Sequence, residues 1–212
     1  MKTLLGAMLL GVTLLAHAQS SSTDNDAPAS ARQSLSVLGE LVTEQNAQQL
    51  GFDSPRQAAT ATLGQPFPAY LVRLDELRAW RSGASPDTLL KPLDRLIYPV
   101  LVDGKVRSSV TMEKGPKGWN AVGFGAPLLI RRLAEGRDVG VRSAGVSENA
   151  VFAVQVPALA RQYVGWHVAG KLMLLSITDE NDGQGDRQHV LPAEQVFDAL
   201  APIARAYNGL PL

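Results

Sequence analysis

The chain has 212 residues, with 20 basic and 20 acidic side chains and no cysteine. The absence of cysteine excludes disulfides, thiolate catalysis and cysteine-ligated zinc. A balanced charge without basic runs argues against binding to nucleic acid and against electrostatic attachment to an anionic membrane. The length suits one substantial domain, or two small ones that share a core.

The start of the chain has the three parts of an export signal in the right order. Lys2 supplies the positive charge, residues 4–15 are uncharged and leucine-rich, and Ala16 and Ala18 place small side chains where a signal peptidase accepts them. The apolar run is shorter than the roughly 20 residues of a spanning helix. We therefore expect a cleaved signal peptide, a mature chain that begins at Gln19, and a periplasmic or secreted location.

Residues 19–32 contain no large apolar side chain and are rich in Ser, Asp, Ala and Pro, which predicts a disordered linker after the signal peptide of residues 1–18. A first helix is predicted from apolar residues at helical spacing, namely Leu35, Leu38, Leu41 and Val42, with its end at Leu50 and Gly51. A second helix begins at Ser54, where Gln57 is spaced for a capping box, and is predicted to end at Gly64.

From Pro68 the apolar period changes from that of a helix to that of a strand. The predicted elements are strands over 69–74, 97–102, 105–112 and 119–124, and helices over 75–81 and 127–136. Asp103 and Gly104 join the second and third of these strands. They suit a type I′ turn, in which both central residues need a positive φ.

The last third of the chain repeats this order. Its predicted elements are strands over 151–156, 161–168 and 171–178, with a turn at Ala169 and Gly170, and a helix that carries Val196, Phe197, Leu200, Ile203 and Tyr207. We interpret 68–137 and 150–209 as two βββα-like antiparallel units. A structural duplication and two ordinary meanders are equal alternatives. The predicted fold is one α+β domain over 33–212, with N-terminal helices ahead of the two units.

Signal cleavage would leave His167 and His189 as the only histidines. Either one, together with Ser108, Ser109 or Ser176, has the residue types of a Ser/His/Asp site. No G-x-S-x-G, S-x-x-K or H-E-x-x-H motif is present to place a nucleophile, a base or a zinc ion. We therefore favour a non-catalytic function and keep a small envelope hydrolase as the alternative.

Two loops contain residue types that are common in ligand sites, and neither has the full pattern. Residues 179–186 hold four acids and two glycines, but in the register of an EF-hand the required Gly and Glu fall on Gln184 and Val190. Residues 123–127 lie between a strand and a helix, but a dinucleotide fingerprint needs a third glycine at Leu128 and a parallel unit. We expect no metal and no cofactor.

One strand face with a basic character is the candidate partner surface. Arg107 and Ser109 alternate with Val106, Ser108 and Val110 along the predicted strand. Arg131 and Arg132 fall toward the expected end of the next helix, where a positive charge favours the helix dipole. A solvated strand face and a helix cap are the simpler interpretations. We still take these four polar residues as the candidate contact for an envelope protein, peptide or small ligand.

Four short segments carry a resemblance to a known group of proteins. They are Leu50–Phe52, Tyr98–Val100, Arg107–Ser109 and Trp119–Gly125. On these segments the chain resembles a group of uncharacterised exported bacterial proteins, over most of the mature chain. That group has no assigned activity, so the resemblance implies only export and the extent of the domain. The expected function is that of an exported binding or accessory protein of the cell envelope.

Overall fold

A nine-stranded mixed sheet runs through the centre of the molecule. The computed structural model describes residues 26–178 and 189–209. The strands are β1 Thr62–Leu63, β2 Phe67–Leu71, β3 Lys91–Val102, β4 Lys105–Gly115, β5 Gly118–Phe124, β6 Phe152–Val156, β7 Arg161–Val168, β8 Lys171–Ser176 and β9 Val190–Pro192. The helices are α1 Asp26–Leu41, α2 Pro55–Ala59, α3 Leu74–Arg78, α4 Pro127–Ala144 and α5 Ala193–Ala206.

The sheet consists of two antiparallel meanders that meet at one parallel pair of strands. β2 and β6 run in the same direction, and Ala69 lies opposite Ala153. From β2 the chain moves outward through β3, β4 and β5, and from β6 it moves outward through β7, β8 and β9, while β1 pairs with β3. The predicted α+β class is therefore confirmed. The parallel pair was not predicted.

Helices cover both faces of the sheet. Neighbouring residues of a strand point to opposite faces. Ala153 of β6 packs in one core cluster with Ile130 of α4, whereas Val154 packs in another with Phe197 of α5. Strand β3 divides in the same way, because Ile97 joins the α4 cluster and Tyr98 joins the cluster under α1 and α2. Helix α4 thus lies on one face, and α1, α2 and α5 lie on the other.

The two predicted tight turns are confirmed. Asp103 and Gly104 have φ values of 51° and 73°, and Ala169 and Gly170 have φ values of 48° and 76°. These positive angles are those of a type I′ turn. They bring β3 against β4, with Val102 opposite Lys105, and β7 against β8.

Helix α4 is longer than predicted. The expected end at Gly136 is wrong, because the helix continues through Gly136 and Gly140 and stops at Gly145, where φ is 65°. Both internal glycines allow the helix to approach the sheet closely. A Cβ on Gly136 would lie 2.6 Å from Val164, and one on Gly140 would lie 3.2 Å from the Trp166 ring. These glycines are close-contact positions rather than a helix stop.

The predicted linker over 19–32 is wrong for residues 26–32, because α1 already begins at Asp26. Ala27 and Ala31 are buried, and Ala31 packs in one core cluster with residues of β3 and β4. A search for large apolar residues does not detect such small buried side chains. Residues 19–25, like the predicted signal peptide, lie outside the described part. Helix α1 ends at Leu41, whose carbonyl oxygen accepts a hydrogen bond from the Asn46 side chain.

Several other boundaries shift by a few residues. The predicted capping box at Ser54 does not form. The Gln57 side chain instead accepts a hydrogen bond from the Asp53 backbone N–H at 2.9 Å, and α2 ends at Ala59 rather than near Gly64. Strand β2 and helix α3 begin earlier than expected, and the short edge strand β9 was not predicted.

Candidate functional site

The structure does not bring the four residues of the predicted partner surface together on one exposed patch. Ser109 is 3% exposed, and its hydroxyl donates to the Gly125 carbonyl oxygen at 2.7 Å. Arg107 is partly buried, with Nη2 3.3 Å from an Asp53 carboxylate oxygen. These two side chains hold β4 to its neighbours, so the Ser109 hydroxyl is not open to a partner.

Arg131 and Arg132 lie in the first half of α4, because the helix runs on to Ala144. The prediction that they cap the end of the helix is therefore wrong. Arg131 is exposed, and Arg132 is partly buried and donates to the Ile177 carbonyl oxygen at 3.2 Å. Arg142 is the basic residue in the last turn.

The four segments that carry the resemblance converge on one packed corner. A Cβ on Gly51 would overlap the Arg107 carbonyl oxygen. The Gly125 backbone N–H donates to the Ser109 carbonyl oxygen at 3.0 Å. Aromatic side chains from these segments share a core cluster, namely Phe52, Tyr98, Trp119 and Phe124. Close contact and core packing explain the residues of these segments.

His167 is paired with an acid that the sequence analysis did not select. Its Nε2 lies 2.7 Å from the Asp87 Oδ1, and both side chains are about half exposed. In Ser-His-Asp enzymes the acid binds Nδ1, and Nε2 faces the nucleophile. Here the carboxylate occupies Nε2, and the ring lies near Phe152, with 5.9 Å between the ring centroids.

The serines proposed as nucleophiles are not next to this pair. Ser176 lies opposite Tyr163, four residues along β7 from His167, a separation of about 13 Å. Ser108 and Ser109 belong to β4, in the other meander. Among the described residues, no serine hydroxyl bonds to His167, and His189 is exposed just before β9.

The two candidate loops supply no ligand site that the structure describes. Residues 179–186 lie outside the described part. In the turn over 123–127, Gly125 has a φ of 100°, and its N–H is already bonded to Ser109. That donor is therefore not available for a phosphate. Within residues 26–178 and 189–209, no group of three or more acidic or histidine side chains is arranged to hold a metal ion.

One concave site on the surface is a groove between α1 and α2, here called the α1–α2 groove. It encloses about 370 Å³ and is lined by Arg32, Leu35, Ser36, Gly39, Glu40, Ala58, Ala59 and Ala61. Small residues let the two helices approach each other. A Cβ on Gly39 would lie 3.8 Å from the Ala58 carbonyl oxygen, without a clash. The volume lies within the range of small-ligand sites.

The groove has charges of opposite sign near its two ends. Arg32 and Glu40 are eight residues apart on α1, which corresponds to about 12 Å along the helix axis. In the described part of the chain, neither side chain forms an ion pair or a hydrogen bond. The two charges are too far apart to neutralise each other directly, so the groove is charged near both ends, with small and apolar residues between them.

Tyr98 lies in the core cluster beneath α1 and α2 and is 4% exposed. Burial raises the pKa of its phenol, because it disfavours the phenolate, and the positive charge of Arg32 opposes this rise. None of the described residues forms a hydrogen bond with its hydroxyl. Tyr98 belongs to the core beneath the helices and is not one of the residues that line the groove.

A second pocket lies between α4 and the sheet and has no room for even a water molecule. Its lining is mostly apolar, and includes Ile97, Leu129, Leu133, Ala153, Tyr163 and Ile177. It is therefore too small for a ligand, and most of the lining residues belong to the core under α4.

The comparisons with known proteins do not extend this description. No protein-family model matches the chain, and neither the curated proteins nor the solved structures include a significant match. In the described part of the chain, no helix is both long enough and apolar enough to cross a bilayer.

Proposed function

We propose that this chain is an exported, non-catalytic binding protein of the bacterial cell envelope. The α1–α2 groove is the observation that carries the proposal. It is concave, has the volume of a small-ligand site, and holds Arg32 and Glu40 without protein partners in the described part of the chain. The signal pattern in residues 1–18 supports export.

The non-catalytic part of the proposal is supported by the surroundings of His167. A Ser-His-Asp site requires a serine hydroxyl within hydrogen-bond distance of the imidazole. Asp87 binds the nitrogen that would accept the serine proton. Ser176 lies about 13 Å along the strand. The pair is suited to holding the 3-10 turn Pro86–Leu89 against β7.

We also propose that the two βββα-like units arose by duplication, each with a fourth strand in the structure. The proposal is supported by the order of elements, because β2 to β5 followed by α4 corresponds to β6 to β9 followed by α5. A twofold axis that lies between β2 and β6, parallel to both strands, would superimpose β2 on β6. The same rotation would exchange the two faces of the sheet. This arrangement is consistent with α4 and α5 lying on opposite faces.

The export part is tested by fractionation of cells that express the full chain, followed by mass mapping of the N-terminus. The expected result is a periplasmic or secreted protein that begins at Gln19. A chain that keeps Met1 and stays in the membrane pellet would contradict export.

The binding part is tested with purified mature protein that is incubated with the small molecules of a periplasmic extract. Retained compounds are identified by mass spectrometry. In Gly39→Leu the new side chain projects toward Ala58 and fills the groove, so we expect it to lose what wild type retains. Ala29→Leu adds the same group at an exposed position outside the groove lining. It should behave like wild type, and equal retention by all three proteins would contradict the proposal.

The second candidate function is a small envelope hydrolase, and the Asp87 to His167 distance of 2.7 Å is the observation in its favour. A panel of chromogenic esters and peptides tests it on wild type, on His167→Ala and on the double variant with His189→Ala. Turnover by wild type that falls at least about a hundredfold in either variant would favour this alternative. No turnover, or turnover that persists in both variants, is expected from the binding proposal.

A further inference from the structure

The α1–α2 groove restricts the chemistry of its ligand further, and this step rests on the proposed function. Arg32 attracts an anion at one end and Glu40 attracts a cation at the other. A polyanion would be repelled by Glu40, and a polyamine would be repelled by Arg32. The charge pattern is complementary to an overall neutral molecule with one positive and one negative end.

The separation of these charges sets the length of that molecule. Arg32 and Glu40 are about 12 Å apart along α1. An extended chain spans at most about 3.3–3.6 Å per residue, so three or four amino acids reach from one charge to the other. A free amino acid is too short to contact both ends, and a long peptide would extend beyond them.

The middle of the groove has a surface that suits a peptide main chain. Ala58, Ala59 and Gly39 project little or no side chain into it, and Leu35 adds an apolar wall. Such a surface allows the close approach of a backbone and leaves space for small side chains within about 370 Å³. Peptides with large side chains would not be accommodated at these positions.

We propose that the α1–α2 groove binds a short peptide of three or four small residues, with its terminal carboxylate at Arg32 and its terminal ammonium at Glu40. Both contacts are partly exposed to solvent, so they contribute modestly and weaken as salt is added. Recognition therefore depends on the two free termini together.

The test is isothermal titration of the mature protein with trialanine at low salt. Wild type should bind trialanine and bind free alanine much more weakly, while Gly39→Leu should bind neither and Ala29→Leu should match wild type. Arg32→Gln and Glu40→Gln should each raise the Kd by about fivefold, as expected for exposed charge contacts. Raising the salt concentration should weaken the binding to wild type more than the binding to either variant.

Capped peptides provide the decisive control, since they assign each charge to one end of the ligand. N-acetyl-trialanine should bind wild type and Glu40→Gln equally, because it has no ammonium for Glu40 to contact. Trialanine amide should likewise bind wild type and Arg32→Gln equally. If Arg32→Gln leaves the affinity for N-acetyl-trialanine unchanged and Glu40→Gln leaves the affinity for trialanine amide unchanged, the proposed orientation of the peptide is wrong. If each variant changes the Kd equally for capped and uncapped peptides, the inference is wrong.

The result also separates this inference from the proposed function. If Gly39→Leu abolishes retention of a compound from the extract but trialanine does not bind wild type, the ligand class is wrong and the binding function stands. If no compound depends on the groove in either experiment, both fail. Trialanine binding that Gly39→Leu leaves unchanged would place the peptide elsewhere and overturn the site.

Discussion

Arg78 and Arg205 cap the ends of each other's helices. The Arg78 Nε donates to the Ala204 carbonyl oxygen of α5 at 2.8 Å, and the Arg205 Nη2 donates to the Trp80 carbonyl oxygen just beyond α3 at 2.8 Å. The Arg205 Nε also donates to the Arg78 carbonyl oxygen at 3.0 Å. Carbonyl groups at a helix C-terminus lack intrahelical partners, and the dipole there favours cations. The five-residue helix α3 is therefore held in place by α5.

Removal of either arginine should weaken this contact. We expect Arg78→Ala and Arg205→Ala each to lower the free energy of unfolding by about 1 kcal/mol. The double variant should cost less than the two single changes together, because both contacts fix α3. Arg81→Ala is the control, since Arg81 is exposed and its side chain forms no hydrogen bond with the described residues. Urea denaturation measures the effect, and equal midpoints for Arg205→Ala and Arg81→Ala would contradict it.

The sequence predicts the parts of this fold that depend on neighbouring residues. Asp103 and Gly104 predict a hairpin because the type I′ turn needs a positive φ at both positions, and these residue types adopt it readily. The pairing of β2 with β6 has no such local requirement, because it joins strands far apart in the chain and depends on burial of both faces. The contact between Arg78 and Arg205 has no local signature either.

The candidate groove was missed for a related reason. Arg32 falls in a stretch without large apolar side chains, which we interpreted as a linker. Ala27 and Ala31 are nevertheless buried, and small residues do not stand out in a hydrophobic pattern. Gly39 inside a helical pattern was the one signal that could have located the groove, because an internal helix glycine often marks a close approach.

The same substitution at two helix glycines should have opposite effects on stability. In Gly136→Ala the new Cβ would lie 2.6 Å from Val164, which we expect to cost about 1–3 kcal/mol of unfolding free energy. In Gly39→Ala the nearest atom would be 3.8 Å away, so the better helix propensity of alanine should add up to about 1 kcal/mol. Urea denaturation of both variants measures this. A gain in stability for Gly136→Ala would show that α4 can move away from the sheet at low cost.

Arg137 should be hard to replace even with lysine. It is 6% exposed, it donates to the carbonyl oxygens of Gln65 and Pro66, and its guanidinium lies 3.5 Å from the centre of the Phe67 ring. Burial lowers its pKa to about 10, so the cation persists at neutral pH. Lysine has no planar fork to bind both carbonyls and stack on the ring. We expect Arg137→Lys to lower the free energy of unfolding by about 1–3 kcal/mol.

The control for this change is Arg142→Lys on the same helix. Arg142 is exposed and its side chain forms no hydrogen bond with the described residues, so the same chemical change should leave the urea midpoint within error of wild type. An equal loss of stability in both variants would mean that the Arg-to-Lys change destabilises helix α4 at any position, and that the two carbonyl contacts of Arg137 are not the cause.

Asp198 should make part of the stability dependent on acid pH. Its Oδ1 accepts hydrogen bonds from the Ser82 hydroxyl at 2.7 Å and from the Trp80 Nε1 at 2.8 Å. The Ser82 bond and then the Trp80 bond hold the pKa of this carboxyl below its usual value. A lowered folded-state pKa gives stability that is present above the unfolded pKa and is lost as the pH falls through the folded value.

The stability advantage of wild type over Asp198→Asn should therefore shrink as the pH falls from about 6 to about 2, because asparagine does not ionise. Thermal unfolding across this range measures the difference. In Ser82→Ala the carboxylate loses its strongest donor, so its pKa, followed by NMR, should rise toward the usual value. Parallel stability curves for wild type and Asp198→Asn would show that the folded and unfolded states share one Asp198 pKa.

The β3–β4 turn offers the most local test of the fold. Gly104 has a φ of 73° with nothing within 4 Å of an added Cβ, so only backbone strain opposes a larger residue there. Valine tolerates this conformation poorly, because its β-branched side chain crowds the backbone. We expect Gly104→Val to cost about 1–3 kcal/mol in urea denaturation. Asp103→Asn is the matched control, because asparagine adopts positive φ readily, and it should leave the midpoint nearly unchanged. A wild-type midpoint for Gly104→Val would mean that β3 and β4 are joined by a different turn.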